Sequence, residues 1–208
     1  MSILTTWGYK LTDVDEIPGI MSLTEFDDRT ANKYLSDSRV TATVRAAASA
    51  VREYCGWHVY PEQQCELVIT LFSKRVTMVD GMILIQLPAT FVSVVESVMI
   101  GDDAYHTYIL EPNGILRVYD VTWTGIETWT PIVIRYTAGI PRGAADALLD
   151  LVTQRVSHAL ESSSGVQSET AGGVSVTYNA SWANGAKATS LADDSKEVLS
   201  PYRLRGVF

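Results

Sequence analysis

Apolar residues along this chain recur first at helical spacing, then at every second position, then at helical spacing again. Leu23, Phe26, Ala31, Tyr34 and Leu35 follow a Ser22–Glu25 capping box, in which the serine hydroxyl takes a backbone N–H three residues on. Ser36, Asp37 and Ser38 interrupt that pattern. Val40, Val44, Ala47, Ala48, Val51, Tyr54 and Cys55 then form a stripe on a second helix, which Gly56 and Pro61 stop. The alanines of this helix allow a neighbour to approach closely. From Cys65 to Tyr136 the period is two. Strands are predicted at Cys65–Phe72, Met82–Leu87, Val92–Ile100, Tyr105–Leu110, Ile115–Tyr119 and Ile132–Tyr136, with turns at Gly101-Asp102-Asp103 and Pro112-Asn113-Gly114. Helical spacing returns after Gly139-Ile140-Pro141, a proline being tolerated in a first helical turn. It is carried by Ala145, Leu148, Leu149, Val152, Val156, Ala159 and Leu160. A fourth helix holds Ala188, Leu191, Ala192, Val198 and Leu199 and stops at Pro201.

The two changes of period predict an α+β fold. It is a small helical bundle of about four helices, with an antiparallel β-meander inserted between the second and third helices and extended N- and C-terminal arms. Residues 1–22 have no period and contain Pro18-Gly19, and read as an N-terminal arm. Residues 23–64 and 137–161 form the bundle core, and 65–136 the inserted meander. Residues 162–187, dominated by Ser, Gly, Thr, Ala and Asn, read as a flexible loop in which Val174, Val176 and Tyr178 alternate like a short strand. Residues 188–208 make the C-terminal helix and arm.

Composition narrows what such a fold does. Of 208 residues, 47% are hydrophobic and 19% charged, enough to build a core without disulfide or metal staples. The net charge is −8, which argues against a protein whose main task is to grip phosphate backbones. No apolar run approaches the roughly 18 residues needed to span a bilayer, and no membrane partner is expected. The first residues show no basic segment leading into an apolar one, so no secretory signal is expected, and Cys55 and Cys65 read as reduced buried thiols.

Candidate chemistry changes the picture little. His58, His106 and His158 stand in no zinc-ligand spacing. His158 lies between apolar positions and reads as a structural histidine. Gly173-Val174-Ser175 begins like a nucleophile elbow, but Thr177 stands where the second glycine belongs. The acidic pairs Asp27-Asp28, Asp102-Asp103 and Asp193-Asp194 fit helix starts and turns better than a cation loop. Trp123, Trp129 and Trp182 read as packing or interface residues. No catalytic residue, metal ligand or cofactor is assigned. The tail differs from a frayed end. Tyr202, Arg203, Leu204, Arg205 and Phe208 do not look solvated: tyrosine and arginine are enriched among residues that dominate interfaces and phenylalanine in interface cores, and these residues follow a polar stretch and a short helix, as in an arm that reaches a partner.

Three segments resemble the head-to-tail connector, or adaptor, proteins of long-tailed bacteriophages. The first is the alanine-rich helix leading into Ala50-Val51-Arg52-Glu53-Tyr54-Cys55-Gly56-Trp57 and Pro61. The second is Ile134-Arg135-Tyr136-Thr137-Ala138-Gly139-Ile140-Pro141, followed by Ala147-Leu148-Leu149-Asp150-Leu151-Val152. The third runs from Ser168 to Tyr178 and resumes at Leu199-Ser200-Pro201-Tyr202-Arg203. The resemblance implies a non-enzymatic virion protein of the neck, present in the host cytoplasm during assembly. It implies a ring of the protein itself, usually twelve copies, under the portal protein. Such a ring extends the DNA channel and docks a head-closure or tail-completion protein, and DNA passes without sequence-specific binding. It places the portal or subunit contact at Leu199, Tyr202, Arg203, Leu204, Arg205 and Phe208. In such a ring the polar 162–187 loop is expected to be ordered by a neighbour through Val174, Val176, Tyr178 and Trp182. Another virion ring protein, of the head-closure or tail-completion kind, and a soluble enzyme with an unrecognised site stay open as alternatives.

Overall fold

In the computed structural model, which describes residues 2–79, 81–121, 127, 129–162, 168–171, 174–177 and 193–204, the chain divides into two compact units. One holds the described residues of Met1–Pro18, Cys55–Arg142 and Tyr202–Phe208, the other those of Gly19–Tyr54 and Gly143–Pro201. With four helices and antiparallel sheets among the described residues, the fold is α+β.

The first unit is built from strands β1 (Ser2–Leu4), β2 (Lys10–Thr12), β3 (Gln63–Thr70), β4 (Val76–Val79), β5 (Met82–Gln86), β6 (Val92–Ile100), β7 (Asp103–Tyr105), β8 (Tyr108–Glu111), β9 (Ile115–Val118) and β10 (Pro131–Ala138). They form a six-stranded sheet in the order β1-β2-β3-β10-β6-β7 and a four-stranded sheet in the order β4-β5-β9-β8. Period two dictates one buried face to each. Ile132, Ile134, Tyr136 and Ala138 of β10 are buried, with Cys65 and Leu67 of β3 and Val98 and Ile100 of β6. In the other sheet Ile83, Ile85, Leu116 and Val118 are fully buried. The Tyr108 hydroxyl donates to the Val95 carbonyl at 3.0 Å and ties the two sheets together.

Three features depart from the sequence pattern. The strand order is not that of a meander, because β3 takes β10 as its neighbour and four intervening strands leave for a second sheet. β4 went unpredicted because Thr77, Met78 and Val79 are all exposed, so it carries no alternation. The stretch read as an N-terminal arm supplies β1 and β2. Lys10 and Leu11 pair with Glu66 and Cys65, and the buried side chains Tyr9 and Leu11 anchor a segment too short to show a period.

The second unit holds α1 (Leu23–Arg29), α2 (Val40–Cys55, apart from its last residue), α3 (Asp146–Ser162), α4 (Asp193–Leu199) and an antiparallel pair, β11 (Ser168–Ala171) with β12 (Val174–Thr177). The predicted stripes are buried at Val40, Val44, Ala47, Ala48 and Val51, and at Leu148, Leu149, Val152, Val156 and Leu160. The Ser22 hydroxyl accepts from the Glu25 N–H at 3.1 Å, as the capping box requires. α1 ends sooner than its apolar pattern, because Ala31 and Asn32 turn the backbone left-handed, at φ 50° and 60°. Phe26 and Tyr34 still stack across that turn, with centroids 5.8 Å apart. Arg29 joins α1 to α3 through Asp146 at 2.8 Å and Asp150 at 2.5 Å. α3 starts at Asp146, later than the proline suggested, after a 3-10 turn at Arg142–Ala144. The predicted beginning of the fourth helix, residues 188–192, and most of the 162–187 segment lie outside the described residues.

Candidate interaction site

Gly56 closes α2 with a left-handed φ of 79° and sends the chain inward. Trp57, His58, Val59 and Tyr60 are all buried there. The Ala138 carbonyl can only accept, so His58 Nε2 carries the proton it donates at 2.8 Å. Nδ1 then accepts from the Tyr9 hydroxyl at 2.8 Å, and that hydroxyl accepts the His58 backbone N–H at 3.1 Å. His58 is thus the structural histidine of this unit, while His158 sits exposed on α3. The pinned turn holds the Trp57 indole in place.

The C-terminal segment is seated on this platform. Trp57 Nε1 donates to the Tyr202 carbonyl at 2.7 Å, and Thr90 Oγ1 donates to the same oxygen at 3.4 Å. The Tyr202 ring lies 5.6 Å from that of Phe91. The Leu204 N–H donates to the Cys55 carbonyl at 2.9 Å, and its side chain covers Gly56, where a β-carbon would stand 3.7 Å away. Burial pushes the Cys55 thiol up to about 12, with the Arg203 charge pulling weakly the other way. Cys65, also free and buried, is likewise pushed up to about 12.

Of the residues predicted for the interface, Tyr202 and Leu204 are therefore half-buried against their own unit, and Arg203 is exposed. Leu199 is fully buried at the end of α4 in the helical unit. Val174 and Val176 belong to β12. Arg205, Phe208, Tyr178 and Trp182 lie outside the described residues. Sequence reasoning missed Trp57, Thr90 and Phe91 as partners of the tail. Only proximity in the fold joins them, across more than a hundred residues of chain.

The outer face of the six-stranded sheet is a second surface. Glu66 stands between Lys10, at 3.3 Å, and Arg135, at 3.1 Å. Burial raises its pKa, but the hydrogen bonds and charges of Arg135 and Lys10 outweigh that and hold it below the usual carboxylate range. Beyond this row Val68 faces Val133 across β3 and β10. Phe72 and Trp129 pack at 5.3 Å, and Trp129 remains 73% exposed. Among the described residues no three His, Cys, Asp or Glu side chains converge as metal ligands do, and no helix is long and apolar enough to cross a membrane.

Comparison with known proteins adds two findings. The family described as Head completion protein matches residues 19–203. A solved chain from the neck of an empty GTA particle computed with C6 symmetry is similar in fold, with a TM-score of 0.50 and 18% identity over 95% of this chain and 97% of that one. No curated protein sequence matches.

Proposed function

This chain belongs to the head completion protein family, and from that premise we propose that it is a structural, non-enzymatic protein of a virion neck, working as a head-to-tail adaptor. The family match carries this reading, because it spans the helical unit, the four-stranded sheet, strands β3, β10, β6 and β7 of the larger sheet and the tail as far as Arg203. The fold it shares with a chain from a GTA neck supports the same place in a particle. On this reading copies form a ring under the portal protein, extend the DNA channel and offer a surface to a head-closure or tail-completion protein. A ring of twelve copies contains a six-fold axis, so C6 symmetry in the similar neck is compatible with that number. The helical unit and the β unit together make up the subunit of this ring, assembled in the host cytoplasm.

The tail's role takes a sharper form. Tyr202 and Leu204 fasten the segment to its own β unit, so the contact with the portal falls to Arg203 and the residues beyond Leu204, including Arg205 and Phe208. Arginine suits a carboxylate-bearing partner through paired, charge-assisted hydrogen bonds. Electron microscopy of portal-bearing heads mixed with the purified chain tests the reading. A ring of added density beneath the portal is expected. Heads that stay bare at saturating protein refute it. Attachment only to heads already carrying another neck ring favours the head-closure alternative.

A further inference from the structure

The four-stranded sheet has two open edges, β4 and β8, and among the described residues no further strand pairs with either. Both edges expose apolar side chains: Met78 is 56% and Val79 40% exposed on β4, and Ile109 is 55% exposed on β8. An open strand edge is a template for another strand, and monomeric proteins blunt it with lysine, proline or a bulge. Val76–Val79 and Tyr108–Glu111 carry none of these, and the one charge, on Glu111, is taken by Arg117.

We propose that the two edges are made for each other, so that β4 of one copy pairs with β8 of the next and the sheet runs on from subunit to subunit. The proposal rests on the ring reading above and names the contact that builds the ring. Strand direction supports it. Each neighbouring pair in β4-β5-β9-β8 is antiparallel, so β4 and β8 run in opposite directions. Copies set side by side in one orientation therefore bring β8 against β4 as an antiparallel pair. Face matching supports it too. Val76 and Met78 lie across from Ile85 and Ile83, on the buried face, and on β8 Tyr108 and Leu110 occupy that face across from Val118 and Leu116. A register that sets Met78 across from Leu110 of the next copy joins two apolar side chains on that face and pairs three residues of each strand, Thr77 with Glu111, Met78 with Leu110 and Val79 with Ile109. It also brings Val79 across from Ile109 on the other face, covering the two exposed side chains with each other. Each copy offers one edge and receives the other, which is the head-to-tail contact that closes a ring when the rotation permits. The edges of the larger sheet, β1 and β7, are three residues each, and β7 is entered through Asp102-Asp103, so they are poorer templates.

Directed crosslinking tests the contact. Val79→Cys and Ile109→Cys are made separately in the full chain, whose own two thiols are buried. Mild copper-phenanthroline oxidation of the mixed variants is expected to give disulfide-linked dimers, and oxidation of either variant alone none. A chain carrying both substitutions is expected to give a ladder of higher oligomers. Met78→Lys, added on the same exposed edge to the chain that carries Val79→Cys, is expected to keep the parent melting temperature and to abolish crosslinking to the Ile109→Cys chain. No dimer in the mixture, or equal dimer from one variant alone, overturns the edge pairing. Sedimentation of the unmodified chain separates this from the ring reading. Ring-sized particles without the mixed crosslink sink the edge pairing alone. Mixed crosslinks with open-ended filaments and no closed ring uphold the pairing and sink the ring.

Discussion

Gly139 shows how a single residue holds the β unit closed. It follows β10 at φ 140°, where a β-carbon would stand 2.5 Å from Glu62 Cα and 2.6 Å from the Pro61 carbonyl oxygen. Both obstacles are backbone, so neither can rotate away. The Gly139 N–H also donates to the Phe91 carbonyl at 2.9 Å, and the Ile140 N–H to the Val59 carbonyl at 2.8 Å. Moving the chain to relieve a clash would break both bonds beside the buried His58–Ala138 contact. Gly139→Ala is therefore expected to cost about 2–4 kcal/mol, from backbone strain and overpacking together. Urea denaturation would measure it, and a loss below about 0.5 kcal/mol, the scale of an ordinary surface change, would contradict the close approach. The sequence marks Gly139 only as a turn before a proline. What makes it irreplaceable is a segment about eighty residues earlier, and no local pattern carries that.

At the scale of elements, legibility followed burial on one face. β5, β6, β9 and β10 and the stripes of α2 and α3 stand close to where alternation and helical spacing put them, because each has one buried and one wet side. β4, with three exposed residues in a row, and the short β1 and β2 gave no such signal. Sheet order was illegible for a related reason: pairing β10 with β3 rather than with a sequence neighbour is a choice between equally apolar strands. The tail was half legible. Its residue types were read as an interface with another protein, and what the fold shows is contact of Tyr202 with Trp57, Thr90 and Phe91 of the same chain. This predicts two different truncations. A chain ending at Ser200 loses the bonds to Trp57, Thr90 and Cys55 and the apolar cover of Gly56 and Phe91. That is a loss of roughly 2–4 kcal/mol, read as a fall of about 5–15 °C in melting temperature. A chain ending at Leu204 keeps all of these and is expected to melt with the parent, yet to attach poorly to portal-bearing heads. Equal melting of the two truncations would show that the seated segment contributes nothing to the fold. Normal attachment of the longer one would remove the portal role from residues 205–208.

For the whole molecule the decisive quantity is charge. Twenty-four acidic side chains face sixteen basic ones. Several of the cations are also committed within the chain, Arg29 to Asp146 and Asp150, Lys33 to Glu161, Arg135 and Lys10 to Glu66, and Arg117 to Glu111. Duplex binding draws its affinity from cations that displace counterions at phosphates, and each committed cation is one fewer to do so. In the proposed ring, a net negative charge repeated from copy to copy would repel the duplex and let it slide without a sticking point, which suits a wall that DNA passes. The chain is therefore expected to bind a short duplex with a dissociation constant weaker than about 10 µM at physiological salt. The weak residual binding should show a shallow dependence on salt, since few phosphates are neutralised. Fluorescence anisotropy of a labelled duplex across a salt series reads both quantities. Sub-micromolar affinity with a steep salt slope would mean that a basic track exists on the assembled surface, and would replace the sliding wall with a clamp.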